Sequence, residues 1–176
     1  MIRKEFFAIV AVVALLYGIA EPARGAGAFR ADPATVDIFP ENELNLDLFG
    51  TWANGDRFGV KRDDGRWGSG VGLNYFLTRY LGIGADTYIE EWKWPYRVNG
   101  SLLLRYPFPG RVSLAPYAFG GGGREFKYVP QWTFHGGAGL ELRFNRHTSI
   151  FADGRRVIPD TTADYTLARA GVRISF

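Results

Sequence analysis

The chain contains no cysteine and only one methionine among its 176 residues. Without cysteine, neither a disulfide framework nor a thiolate metal site can be built. Its two histidines, His135 and His147, lie far apart and lack metal-ligand spacing. Neither charge sign is in strong excess: the formal net charge is +3, too mild a balance to imply a nucleic-acid partner. Long apolar runs are also missing. The longest, Phe6 to Ala20, falls short of the roughly 20 residues a spanning helix needs.

That run has a different reading. Arg3 and Lys4 precede it, and Glu21, Pro22 and the small residues Gly25-Ala26-Gly27-Ala28 follow. A basic start, a short apolar core and small residues near a cut point predict a secretory signal peptide over 1–25, cleaved after Gly25 or after Ala28. Residues 26–41 hold Pro33 and Pro40, which remove backbone donors and stiffen the chain, so an extended lead-in is expected there.

What the chain does have is glycine (23 residues), aromatic side chains (16%) and short alternating segments. This mixture favours an all-β chain. From Glu43 onward the period is two. Leu44, Leu46, Leu48 and Trp52 share one face, and Glu43, Asn45, Asp47 and Thr51 the other. The pattern recurs through Val71–Leu77, Leu81–Ile89, Val98–Tyr106, Val112–Ala118, Phe134–Phe144 and Thr166–Phe176. A further segment near Ser149 to Val157 alternates without a clean register. Tight turns are expected at Thr78–Tyr80, Pro107–Gly110 and Asn145–Thr148. Longer connections are expected at Asn54–Arg66, Glu90–Tyr96, Gly121–Gln131 and Ile158–Asp164. Gly120 to Gly123 read as a flexible start to the third of these.

Eight segments with short turns on one rim and long loops on the other predict an eight-stranded antiparallel up-and-down transmembrane β-barrel over 42–176. The short turns and the 26–41 segment are then periplasmic. A soluble sandwich also alternates. Here, however, the polar face carries glycines, aromatics and isolated charges of both signs, as a crowded lumen would. The apolar face ends in Trp52, Tyr106, Phe134, Phe144 and Phe176, as interfacial belts would. Closure predicts that Glu43 and Arg173, and Asp47 and Arg169, are in contact or near neighbours across the seam. Asp86, Arg105, Glu141, Arg143, Asp153 and Arg155 are expected to pair with one another and plug the lumen, because unpaired buried charge is costly.

The last residues, Arg169-Ala170-Gly171-Val172-Arg173-Ile174-Ser175-Phe176, resemble the C-terminal signal of outer-membrane barrels. Its marks are a polar Arg169, Gly171, then Ile174 and a final Phe176. The resemblance implies the barrel assembly machinery as a partner. More loosely, Gly70–Tyr75 and Ile150–Arg155 look like segments of the small OmpA-like and OmpW-like barrel families, porin-like proteins of the Gram-negative cell outer membrane. With nothing after Phe176, the peptidoglycan-binding module of OmpA is not expected.

His147-Thr148-Ser149 is superficially similar to the site of outer-membrane lipid A deacylases, with Asp160 or Asp164 as the acid. Ile150 stands where that family has asparagine, and both acids fall at the opposite rim. A polar turn explains the residues better. His135 is expected among the lumen positions of its segment, on the same face as Glu141 and Arg143. The outer-loop stretches Trp92 to Arg97 and Arg124 to Tyr128, with Trp92, Trp94, Tyr96, Arg124, Lys127 and Tyr128 as contact candidates, interleave rings and cations, suited to lipopolysaccharide and lipid at the interface. The expectation is a monomeric, non-enzymatic outer-membrane barrel without cofactor or metal, structural or surface-interacting. A lipid A-modifying acylhydrolase and a narrow transporter of small or hydrophobic solutes are its rivals.

Overall fold

The computed structural model describes residues 38–54, 65–90, 97–108, 113–126 and 130–176. The expected signal peptide and most of the lead-in lie outside these residues, as do Trp92, Trp94, Tyr96, Lys127 and Tyr128. The strands are β1 (Glu43–Asn54), β2 (Arg66–Phe76), β3 (Leu81–Glu90), β4 (Arg97–Arg105), β5 (Leu114–Glu125), β6 (Gln131–Arg143), β7 (Thr148–Pro159) and β8 (Tyr165–Ser175). Each pairs antiparallel with the next, and β8 returns to pair with β1 in a closed barrel. Closure leaves no strand edge with unpaired backbone groups.

The strands run from 9 to 13 residues, against the roughly 9–11 that a tilted strand needs to cross a hydrocarbon layer. Alternation sends one set of side chains outward and the other inward. Leu48 is 49% exposed, Leu102 54% and Leu140 52%, whereas Glu43, Arg105, Glu141 and Arg173 are each exposed by 2% or less. Exposed leucines around buried arginines invert the order of a water-soluble protein, which rules against the sandwich. Aromatic side chains gather at the two ends of this exterior. Tyr80, Tyr106, Phe108, Phe144 and Phe176 are exposed at the short-turn rim, and Trp67, Trp132 and Phe134 toward the other.

The seventh segment has a definite register: Ser149, Phe151, Asp153, Arg155 and Val157 point inward. Its outward positions include Ala152, Gly154 and Arg156, too small or too polar to announce a lipid-type face. The same exterior continues through Ala138, Ala168, Ala170 and Gly50 as a shallow trough flanked by Trp52 and Trp67.

One expected loop is strand. Gly120 to Gly123 lie within β5, paired with Thr133 to Gly136 on one side and with Asn99 to Leu102 on the other. Close approach, and not flexibility, demands glycine here. A Cβ on Gly121 would sit 1.9 Å from the Gly100 carbonyl oxygen, and one on Gly123 2.3 Å from Asn99 Oδ1. Elsewhere rings occupy the space left by inward glycines, with Phe119 against Gly137 and Tyr117 against Gly139.

Candidate functional site: the charged lumen

Alternation places an inward residue every second position, and many of these carry charge. At the short-turn end Glu43 accepts from Arg105 Nη2 at 3.1 Å and Arg143 Nη2 at 2.6 Å. Glu141 accepts from Arg143 Nε at 3.0 Å, Arg173 Nη1 at 2.6 Å and Ser149 Oγ at 3.1 Å. Arg173 also grips Asp47 through Nε and Nη2, at 2.7 and 2.8 Å, and Asn74 Nδ2 donates to the same carboxylate at 2.7 Å. Three carboxylates meet three guanidiniums.

The middle tier repeats the balance with two of each. Arg169 forks onto Asp153 through Nε and Nη2, both at 2.8 Å, and Tyr117 donates to that carboxylate at 2.7 Å. Arg155 reaches Asp86 at 2.8 Å, joined by Asn99 at 2.8 Å and Arg169 Nη1 at 3.3 Å. Phe119 lies against both guanidiniums, at 5.0 Å from Arg155 and 5.4 Å from Arg169. Toward the long-connection rim Arg97 pairs with Glu125 at 2.7 Å and approaches Glu90 at 3.9 Å, while Arg66 stands 3.6 Å from Glu90. Arg97 also donates to the Tyr88 hydroxyl, which bonds that of Tyr165 at 2.9 Å.

Among the described residues the lower two tiers balance carboxylates against guanidiniums, and every lumen cation named is arginine. The planar fork suits this task, because it engages a carboxylate with two parallel bonds and stacks on rings. Desolvating such pairs costs several kcal/mol per ion before attraction offsets it. The network therefore bears on lumen closure and packing order more than on net stability.

Several placements differ from the sequence expectations. The seam brings Asp47 opposite Arg173, not Arg169, and Arg169 opposite Thr51. Glu43 turns across the lumen to Arg105 and Arg143. The offset is four residues, two inward positions, set by the stagger between first and last strands in a closed barrel. His135 shares the lumen face of β6 with Glu141 and Arg143, as expected, but does not touch them. It lies about 20 Å away along β6, at roughly 3.4 Å per residue, with its Nε2 2.8 Å from Ser101 Oγ. Arg97 and Glu125 belong to the lumen, not to a surface loop. Arg124 faces outward, its guanidinium 5.2 Å from the Trp132 ring.

The His-X-Ser pair is divided by the start of β7, which takes in Ser149 and leaves His147 in the turn. Ser149 is fully buried and donates to Glu141, whereas His147 is exposed at the turn, with Nδ1 3.1 Å from the Ser175 carbonyl oxygen. Asp164 lies at the far rim, bonded to Arg156 at 3.3 Å. The Ser101–His135 pair has hydrogen-bond geometry that sequence reading missed, but His135 Nδ1 has no hydrogen-bond partner, so no acid orients the ring. Among the described residues no cluster of His, Cys, Asp and Glu could hold a metal. Of the terminal motif, Ile174 and Phe176 face outward, Arg169 faces the lumen, and Gly171 packs against Phe49.

No protein-family model matches this sequence, and no curated protein matches it either. Solved structures do. The N-terminal β-barrel domain of Pseudomonas aeruginosa OprF aligns with a TM-score of 0.59 at 17% identity, over 77% of this chain and 98% of that one. A barrel from a de novo design of transmembrane β-barrels aligns at 0.57 with 12% identity, over 77% and 97%. Ail, the attachment invasion locus protein of Yersinia pestis, aligns at 0.56 with 15% identity, over 77% and 99%. The fold is thus that of the small eight-stranded outer-membrane barrels. A fold shared by natural and designed chains assigns no activity.

Proposed function

We propose that this protein is a resident of a Gram-negative outer membrane, a closed, non-conducting and non-enzymatic barrel with a structural or surface-interaction role. The observation that carries this reading is the middle tier. Asp86, Asp153, Arg155 and Arg169 bond to one another between Phe49, Phe119 and Tyr117, so paired charges and rings occupy the middle of the lumen. An eight-stranded barrel has an interior just wide enough to be filled this way.

The apolar exterior and its aromatic ends suit lipid, and the long connections would then face outside the cell. Their rings and cations, among them Trp92, Trp94, Tyr96, Lys127 and Tyr128, are chemically suited to lipopolysaccharide phosphates and sugars. The barrel assembly machinery is the partner implied by the C-terminal motif, and a monomer is the simplest state for a closed barrel.

Planar-bilayer recording tests the reading directly. The purified barrel is expected to give no steady conductance under conditions in which a porin control conducts. A stable single-channel step would replace this reading with the transporter.

A further inference from the structure

Phe39 precedes the first strand, yet it is only 4% exposed. Its ring lies inside the short-turn mouth, 4.4 Å from the Arg143 guanidinium carbon and 4.9 Å from that of Arg105. Arg105 in turn stands 3.8 Å above the Phe76 ring. Ring and guanidinium thus alternate across the opening, from Phe76 to Arg105, Phe39 and Arg143. The Ile38 carbonyl adds a polar tie, accepting from Arg143 Nη1 at 2.7 Å. A bend at Asn42 turns the chain under the mouth. Its φ of 55° is left-handed, which asparagine tolerates far better than β-branched residues, and its side chain accepts from the Tyr75 hydroxyl at 3.2 Å.

We propose that Ile38–Phe39–Pro40 is a latch that docks after the barrel has closed and sets how slowly the barrel opens. The seat for the ring does not exist in any local piece of the chain. It needs Arg105 from β4, Arg143 from β6, and the Glu43 carboxylate of β1 that bonds both. The tie from Ile38 to Arg143 spans 105 positions in sequence. Contacts absent from the folding transition state act on the unfolding rate and leave the folding rate nearly unchanged. The latch also shields the three-against-three charge cluster from water on that side. A desolvated ring–guanidinium contact is stronger than an exposed one.

The test folds the barrel from urea into detergent micelles and follows folding and unfolding separately by tryptophan fluorescence. Phe39→Ala is expected to speed unfolding at least about tenfold while folding stays within about twofold. Phe39→Leu, which keeps apolar bulk but loses the ring, should fall between Phe39→Ala and the native chain. Asn42→Val disfavours the left-handed bend without touching the ring, and should speed unfolding in the same one-sided way, whereas Asn42→Gly should stay near native. Slowed folding in proportion to the lost stability would overturn the proposal, since the segment would then dock before closure. Unfolding unchanged in both Phe39→Ala and Asn42→Val would overturn it equally.

Discussion

Arg173 donates two parallel hydrogen bonds to Asp47, at 2.7 and 2.8 Å, across the line where β8 meets β1. The register places the two residues directly opposite each other. The remaining guanidinium nitrogen donates to Glu141 on β6 at 2.6 Å. One side chain therefore ties the last strand to the first and to a third across the lumen.

This dual role makes the two partners unequal. Arg173→Met leaves buried Asp47 without its guanidinium partner, while Glu141 keeps Arg143, and should cost about 3–5 kcal/mol. Asp47→Asn keeps a hydrogen-bond acceptor and leaves Arg173 bonded to Glu141, so its cost should be nearer 1–2 kcal/mol. Adding Asp47→Asn to Arg173→Met should recover part of the larger loss. Urea unfolding of the three variants in detergent measures the order.

The seam has a steric condition as well. A Cβ at Gly171 would lie 2.1 Å from the Leu48 carbonyl oxygen and 2.7 Å from Phe49 Cα, both backbone atoms that cannot move aside alone. Gly171→Ala should destabilise the barrel by about 2–3 kcal/mol, as overpacking does. Gly154→Ala is the control. Nothing lies within 4 Å of its added carbon, so its effect should stay within about 0.5 kcal/mol. Heat-modifiable migration on gels, read across a temperature series, separates the two.

The plug can be opened by charge. Replacing Arg155 and Arg169 together with alanine leaves Asp86 and Asp153 without their guanidinium partners and removes two large side chains from the middle tier. The double variant is expected to conduct, with selectivity for cations, in planar bilayers that the native barrel leaves silent. Silence from a folded double variant would show that Phe49, Phe119 and Tyr117 close the lumen by themselves.

Neither serine–histidine pair is built for acyl transfer. Ser149 is bonded to Glu141, and the His135 ring beside Ser101 lacks an orienting acid. Lipid A from cells making the native protein, Ser149→Ala or Ser101→Ala should give the same mass spectrum as the vector control. Loss of an acyl chain that depends on either serine would restore the hydrolase reading.

Much of the lumen could be read from alternation carried to its end. Extending the inward positions of β4 back from Arg105 and Asn99 reaches Arg97, and extending those of β5 forward from Tyr117 reaches Glu125. Loop chemistry drew both residues away from that count, because glycine runs and neighbouring aromatics imitate a connection. Phe39 carried no such signal. It lies outside the alternating region, and the guanidiniums that seat it come from two distant strands.

Period-two patterning, turn spacing and chain length were enough to determine eight strands, the inward and outward faces of all but the seventh and the polar character of the interior. Those properties are local, since each strand alternates whatever its neighbours do. Which carboxylate meets which arginine was decided only by the closed tertiary structure. Barrel stagger sets the register at the seam, and long guanidinium side chains cross the lumen to partners on strands that are distant in the sequence.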